Sequence, residues 1–436
     1  MVSNGDAVDT SVPSQVGSDA QILGLSKADI KRNMIAIILL ESIFYMGFTD
    51  LQLAMQPLLV YLKASNSMIG IINGATIMGL VGVFFSPWIT RRFRYKKWYM
   101  FVVHMPYIGS VGLMGLAVLM SKQFGLSDPS LLMVVFGLTL AHWFFSGFVS
   151  LPHQEYTAAC IPMAYRGRYS GWSFSVGGVL SIGSAMLGGW VLSHYSKPMA
   201  FGYVLLMAWA IAQSGFLFAL LGKELPTPVE KSPKPWSKSM FKAVWEDKPY
   251  VRFLTIYALS NAIIYPTLFT FINVYGFREL GMRPETSALI QVIGQAARIG
   301  ACVFIGIITD KIGPKRVYPF WFLIAGIGIM IPVMIGSPIG VYIASAFAAL
   351  YVAGTTGAFG ALLYGLPSPE NRAGHFAIQL ILMFVTASIG PIMIGRLCDL
   401  MPYRTLFIIV AAACVALFLL GRYLLSSLSD NVKSYS

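Results

Sequence analysis

The sequence predicts an all-α membrane protein of twelve transmembrane helices. Its composition indicates this first, because 56% of the 436 residues are hydrophobic and only 11% are charged, whereas about a quarter of the residues of a soluble domain are charged. A helix that crosses a bilayer needs about 20 mostly apolar residues, and the chain contains twelve apolar runs long enough to span. A soluble multidomain enzyme is therefore excluded.

The twelve runs fall into two sets of six, separated by a polar segment rich in Pro, Lys and Glu. We predict a disordered tail over 1–32, a bundle over 33–222, a linker over 223–248, a second bundle over 249–422 and a tail over 423–436. The first tail lacks the apolar core of a signal peptide, so the first span is expected to direct insertion. The predicted spans cover residues 34–62, 68–89, 99–120, 131–160, 169–193, 199–221, 249–275, 285–309, 318–335, 338–365, 375–396 and 404–422.

The basic residues follow the alternation of the predicted loops. If the N-terminus lies inside the cell, 23 of the 31 Lys and Arg residues lie on the inside and seven on the outside, with Arg298 left within a span. Cytoplasmic loops carry such an excess of Lys and Arg. We therefore predict a multi-pass protein of the cell membrane with both termini cytoplasmic. The net charge of +13 is explained by this topology, so nucleic acid is not an expected partner.

No pattern in the chain indicates an enzyme, a metal site or a nucleotide-driven pump. The segment His153-Gln-Glu155 differs from HExxH, and neither a Walker-type loop nor GxGxxG is present. We expect no cofactor. The cysteines form no CxxC pair, which argues against a disulfide framework or a thiolate metal site; they are Cys160, Cys302, Cys398 and Cys414.

The two halves of the chain repeat one another. Each half has a loop in which Pro is followed by Arg and Gly, and these loops contain Arg166 and Arg372. Arg166 precedes Gly189 by 23 residues, and Arg372 precedes Gly395 by the same interval. Two related six-helix halves are a known plan of secondary transporters.

The loop between the eighth and ninth spans reads Gly306-Ile-Ile-Thr-Asp310-Lys311-Ile-Gly313-Pro-Lys315-Arg316. It resembles the loop signature of the major facilitator superfamily. With the twelve spans and the two arginine loops, the resemblance covers about residues 33 to 422. The matching loop of the first half, Thr90–Lys97, keeps the basic cluster but lacks the Asp and the second Gly. The resemblance implies the fold of that superfamily and transport by alternating access.

The resemblance also implies a gate on the cytoplasmic face. In the family, the Asp of this loop engages nearby basic groups and a helix N-terminus, where an acid is stabilised by the helix dipole. Carried over, the gating residues are Asp310, Lys315, Arg316, Arg372 and Arg166. In the alternative interpretation, the basic residues serve only as topology signals.

Ionisable side chains within a span are costly and indicate function. Counted at about 1.5 Å per helical residue, Glu41, Glu155, His153 and Arg298 fall in one layer, and Asp50 lies nearer the outside. The resemblance implies that the first, fourth, seventh and tenth spans line a central cavity. This favours Glu41, Asp50 and Glu155 as proton-coupling residues. The alternatives are a helix–helix hydrogen bond for Glu41, a solvated outer end for Asp50 and a charge at the cytoplasmic mouth for Glu155.

Arg298 needs an acidic partner or an anionic ligand, because it stays charged under ordinary conditions. Either it pairs with Glu155 or Glu41, or it binds a carboxylate or phosphate of the substrate; Gln291 and Gln295 extend its helix face and favour substrate binding. The further candidates for substrate binding are Asn261 and Tyr265 on one face of the seventh span, Trp172 and His153. For Trp172 and His153 the alternative is packing.

We predict a secondary active transporter that moves a small polar or anionic organic solute by alternating access, coupled to protons as a symporter. Its expected partners are this solute, H⁺ and the lipid bilayer, and it is expected to act as a monomer. One alternative is an exporter of amphipathic compounds, which the many Phe and Met residues favour. Another is a non-transporting membrane sensor or scaffold, although the polar segments are too short for an added domain.

The predicted topology can be tested by labelling single cysteines in a variant that lacks the four native ones. An impermeant thiol reagent added outside the cell should label a cysteine at position 125 and fail to label one at position 235. The reverse pattern would contradict the predicted orientation.

Overall fold

A computed structural model describes residues 25–226, 238–367 and 372–426. Twelve long helices, α1 to α12, account for most of these residues. Of the predicted disordered tail, residues 1–24 lie outside the described part of the chain, whereas residues 27–32 are helical and belong to α1. Their bounds are α1 Lys27–Tyr61, α2 Asn66–Thr90, α3 Lys96–Met120, α4 Asp128–Cys160, α5 Met163–His194, α6 Met199–Leu221, α7 Lys248–Arg278, α8 Ser287–Ile312, α9 Pro314–Ile335, α10 Pro338–Gly365, α11 Arg372–Leu400 and α12 Tyr403–Ser426.

The structure confirms the all-α membrane fold. Eleven helices are long and apolar enough, within the described residues, to cross a membrane. The remaining one, α8, has the length of a span with 26 residues. All twelve predicted spans coincide with a helix, although several helices extend further than predicted. A short helix, Lys238–Glu246, precedes α7.

Two of the helices contain a short segment that departs from regular α-helical hydrogen bonding. In α2, a 3₁₀ segment covers Gly74–Met78. In α7, a π-helical turn covers Thr267–Phe271 directly after Pro266. Proline has no backbone N–H to donate and its ring clashes with the preceding turn, so Pro266 weakens the helix just before this turn.

Two pairs of helices connect the first six helices with the last six. Within the first set, α1 packs against α5 and α6, and α3 packs against α4 and α6. Within the last set, α9 packs against α10 and α12, and α8 packs against α10. Between the sets, α2 lies against α11 and α5 lies against α8. These contacts place α5 and α8 on the boundary where a central site is expected.

Small residues let α2 approach α11. A Cβ atom at Gly70 would collide with the backbone at Pro391, and one at Gly74 would lie 2.8 Å from the carbonyl oxygen of Ser388. Close backbone approach through small residues is a typical packing device of membrane helices. The Gly70–Gly74 pair is thus a packing contact between the two sets.

The two ends of the helix bundle are named here by the loops they carry. The linker end holds the start of α1 and the segment between α6 and α7. The far end holds the turns after α1, α3, α5, α7, α9 and α11. The topology prediction makes the linker end cytoplasmic.

The close approach of α2 and α4 gives a stability prediction. A side chain at Gly147 would collide with the backbone of Gly79, whereas Gly137 on the same helix faces open space. Gly147→Leu should therefore lower stability by about 1–3 kcal/mol through overpacking, and Gly137→Leu should leave it nearly unchanged. Melting curves of the purified variants test this; equal melting temperatures would contradict the described packing.

Candidate functional site

Glu41 on α1 is the centre of a polar cluster formed by three helices. The Tyr169 hydroxyl on α5 donates a hydrogen bond to Oε1 of Glu41, and Nε2 of His153 on α4 lies 3.8 Å from the same oxygen. The side chains of Glu41 and His153 are 18% and 27% exposed, and Tyr169 is buried. We call these three residues the carboxylate cluster.

The packing of α5 against α1 positions Tyr169 beside Glu41. The Ser42 hydroxyl donates to the carbonyl oxygen of Ser173 at 3.4 Å, and Gly177 leaves room for Ser42, since an added Cβ would lie 3.3 Å from its Cα. Residues four apart share one face of a helix, so Tyr169 and Ser173 both face α1.

Arg298 on α8 lies over an aromatic ring of α5. The guanidinium carbon is 5.6 Å from the centroid of the Phe174 ring, a cation–π contact. The ion pairs within 4 Å that form between described residues do not include Arg298. The structure therefore does not bring Arg298 into a pair with Glu41 or Glu155, the pairing that was one of its two predicted roles.

Tyr45 lies one turn after Glu41 on α1 and is 37% exposed. Tyr265 on α7 is 42% exposed, and its ring centroid lies 4.6 Å from that of Phe269. The candidate site thus comprises the carboxylate cluster on α1, α4 and α5, together with Arg298 on α8, which contacts the same helix α5.

Asp50 belongs to a different environment from Glu41. Its carboxylate is fully buried and accepts a hydrogen bond of 2.5 Å from the Ser184 hydroxyl on α5. Gly188 lies one turn further along α5, where an added Cβ atom would lie 3.3 Å from Oδ1 of Asp50. The structure places Asp50 in the α1–α5 contact, apart from the carboxylate cluster.

Glu155 points towards the linker end. One carboxylate oxygen lies 3.8 Å from Nζ of Lys96, whose ammonium also donates to the carbonyl oxygens of Thr90 and Phe93 at 2.5 and 3.1 Å. The sequence predicts one layer for Glu41, His153 and Glu155. In the structure His153 meets Glu41, whereas Glu155 turns to the loop between α2 and α3.

The remaining candidates for substrate binding are dispersed. The Asn261 amide donates to the Thr386 hydroxyl at 2.7 Å and so joins α7 to α11. Gln291 and Gln295 are half-buried on α8, and Oε1 of Gln295 has no hydrogen-bond partner in the described chain. Trp172 is 61% exposed and lines a cavity of about 450 Å³ at the linker end, together with Lys27, Ile30, Lys31, Met34, Ile35, Ile38 and Tyr165.

Glu224, which sequence reasoning missed, ties the start of the linker to α3. Its carboxylate accepts hydrogen bonds from the backbone N–H groups of Lys96 at 2.5 Å and Lys97 at 3.0 Å. Burial raises the pKa of the Glu224 carboxyl above its usual range, while the two backbone donors act in the opposite direction. No periodicity or motif marks this residue, because it lies outside the spans.

Comparison with known proteins identifies the family. The sequence model described as Major Facilitator Superfamily matches residues 37–311 and 299–433. The chain belongs to the Major Facilitator Superfamily. This confirms the predicted membership, and with it a multi-pass membrane protein of a transporter family. No curated protein matches the chain in sequence.

Solved structures of other members share the superfamily fold. The nucleoside transporter NupG is 15% identical, with a TM-score of 0.63 over 91% of this chain and 100% of its own. A bacterial homolog of the human lysosomal transporter Spinster is 15% identical, with a TM-score of 0.64 over 92% and 97%. A POT family transporter in complex with a thioalcohol-conjugated peptide is 12% identical, with a TM-score of 0.69 over 89% and 95%.

The residues that match the superfamily's gate are only partly described. The side chains of Asp310, Arg166 and Arg372 lie outside the described part of the structure. Lys315 is half-buried and Arg316 is exposed, both in the first turn of α9. Their predicted gating role stays a prediction.

Polar contacts between the two halves of this superfamily member concentrate at the far end. The Asp399 carboxylate on α11 meets the first turn of α2, Lys197 pairs with Glu285 at 3.3 Å, and the Ser287 hydroxyl donates to the carbonyl oxygen of Leu53 at 3.1 Å. At the linker end, the ion pairs between described residues stay within one half; they are Arg32–Asp29, Lys223–Asp29, Lys96–Glu155, Lys242–Glu246 and His375–Asp247.

The carboxylate cluster gives a prediction about coupling between two side chains. Tyr169→Phe should destabilise the protein by about 1–3 kcal/mol, because a largely buried carboxylate loses its donor. Adding Glu41→Gln should recover part of the loss, since the charge that needed the donor is gone. Melting temperatures of both single variants and the double variant measure this. Tyr195→Phe, at an exposed tyrosine, serves as the control; a purely additive cycle would contradict the described contact.

Proposed function

We propose that this protein is a proton-coupled secondary transporter that moves a small polar or anionic organic solute by alternating access. It acts as a monomer in the cell membrane, with both termini and the linker in the cytoplasm. One observation carries the proposal: the helix α5 contacts Glu41 through Tyr169 and Arg298 through Phe174, so charged groups from opposite halves of the chain lie against the same helix.

Arg298 supports an anionic group on the solute. Its charge is permanent, and within the described residues it has an aromatic ring rather than a carboxylate as its near partner. Guanidinium groups bind carboxylates and phosphates through two parallel hydrogen bonds. Gln291 and Gln295 on the same helix add donors and acceptors for the rest of a polar solute.

Glu41 supports proton coupling. A nearby positive charge favours the ionised form of a carboxyl group, and loss of that charge favours protonation. A solute anion that neutralises Arg298 would therefore promote proton uptake by Glu41. His153 and Tyr169 give that proton polar neighbours within the carboxylate cluster. Solute and proton would then load together, which is symport. Asp50 and Glu155 are the alternative proton carriers.

Access to this site is proposed to alternate between the two ends. The contacts between the halves at the far end support a closed far end in the described state. In the other state, the linker end is proposed to close when an acid, Asp310, meets nearby basic groups. These basic groups are Lys315, Arg316, Arg372 and Arg166.

The solved relatives support a polar organic solute. One is a nucleoside transporter, and one POT family structure contains 5-aminolevulinic acid, a small organic acid. That second structure is 12% identical to this chain, with a TM-score of 0.66. Their solutes do not identify the solute of this chain.

A second candidate function is export of amphipathic anions. The linker-end cavity favours it, because Lys27 and Lys31 lie beside apolar side chains of α1 and beside Trp172. In that case variants of the two lysines should abolish transport, and variants of Arg298 should not.

The proton-coupling proposal predicts a specific loss of function. Glu41→Gln should abolish accumulation driven by a pH gradient but retain solute exchange, since Gln keeps the shape of the side chain and cannot titrate. Glu155→Gln is the matched comparison at the linker end. Transport into proteoliposomes, with a solute first identified by thermal stabilisation, measures both. If both variants accumulate solute normally, the coupling residue lies elsewhere or coupling is absent.

The role of Arg298 predicts the outcome of a double-mutant cycle. Arg298→Gln should abolish solute binding while the protein stays folded, and neither Glu155→Gln nor Glu41→Gln should restore it. A structural pair behaves differently, because removing one partner strands a buried charge at a cost of about 3–5 kcal/mol and neutralising the other relieves it. Melting temperature and affinity are measured for each variant. Rescue of folding and transport in a double variant would overturn the substrate role.

A further inference from the structure

The first turn of α2 is completed by a side chain from the other half of the protein. An α-helix begins with four backbone N–H groups that lack an intrahelical acceptor. The Ser65 hydroxyl accepts from the N–H of Met68 at 3.1 Å. The N–H groups of Asn66 and Ser67 instead donate to the two carboxylate oxygens of Asp399, at 3.1 and 2.8 Å. The Ser67 hydroxyl adds a third bond of 2.5 Å.

Asp399 lies in the last turn of its own helix, α11. A carboxylate there is disfavoured by the negative end of that helix's dipole, whereas the N-terminus of another helix stabilises it. The position is therefore unfavourable unless α2 docks against α11. This makes the contact depend on the conformation of the transporter.

Arg278, the last residue of α7, complements Asp399 from the same half. Its guanidinium donates to Oδ1 of Asn66 at 2.6 Å and to the carbonyl oxygen of Ala64. The Asn66 amide in turn donates to the carbonyl oxygen of Cys398 at 3.2 Å. The positive group thus meets the Ala64 carbonyl before α2 and the Asn66 side chain, and the negative group meets the backbone amides that begin α2.

We propose that Asp399, Arg278, Asn66 and Ser67 form a clasp that holds the far end of the transporter closed. Opening the far end separates α2 from α11. Two backbone N–H groups of α2 then lose their acceptor, and the Asp399 carboxylate loses its donors. The clasp rests on the proposed alternating access, and is independent of the identity of the solute and of proton coupling.

The clasp can be tested by the distance between spin labels in the full chain. Cysteines at Gln123 and Ser337, in far-end turns of the two halves, report the far end; a second pair at Arg92 and Lys311 reports the linker end. In Asp399→Asn the ratio of open to closed far ends should rise on the order of tenfold, from the lost charge-assisted bonds.

The matched control is Asp128→Asn. Asp128 is another acid at the N-terminus of a far-end helix, but the cap of that helix comes from Ser127 in the same half. It should leave the ratio unchanged. Ser67→Ala removes a single hydrogen bond, so the ratio of open to closed far ends should rise less than in Asp399→Asn. Added to Asp399→Asn, it should change the ratio little. This variant keeps the test usable if Asp399→Asn folds poorly.

The outcomes separate the clasp from alternating access. In the first outcome, the linker-end pair shows two populations, but Asp399→Asn and Ser67→Ala give the same ratio of open to closed far ends as Asp128→Asn. The clasp is then overturned and alternating access stands. If both pairs show a single population in every variant, alternating access is overturned with it.

Discussion

The cost of a polar group inside a membrane governs this structure. Backbone and side-chain polar atoms in the hydrocarbon region must find partners within the protein, and charged ones are the most costly. Asn261 meets this requirement with Thr386, and Asp50 meets it at one carboxylate oxygen with Ser184, while the other oxygen of Asp50 has no hydrogen-bond partner among the described residues. Arg298 is different, because its described contact is the ring of Phe174. The same requirement thus distinguishes polar groups that hold helices together from one that is available to a ligand.

The arrangement of helices turns this local difference into a site. Because α5 lies against both α1 and α8, it carries Tyr169 to Glu41 and Phe174 to Arg298 within little more than one turn. The two charged groups belong to opposite halves, so a relative movement of the halves changes their separation. The contacts between the halves at the far end fit a site reached from one side at a time.

The fold was predictable because apolar length is sufficient to define a span. The ends of the helices were less predictable. The helix α1 begins at Lys27 rather than near residue 34, because Ser26 and Asp29 form a capping box within polar sequence. Charge within apolar runs revealed Glu41 and Arg298. Tyr169 and Phe174 carry no such signal, as their roles arise from contacts between helices. Glu155 was assigned to the layer of Glu41 from depth alone, which says nothing about the direction of its side chain.

The central claim is that Arg298 binds an anionic group of the transported solute. A thermal-shift screen of the purified protein against small organic acids, sugars and amphipathic drugs tests it most directly. We predict that one or more organic acids raise the melting temperature and that Arg298→Gln removes this effect, while sugars and amphipathic compounds have little. Stabilisation by sugars or amphipathic compounds instead, or by an acid to the same extent in Arg298→Gln, would contradict the account.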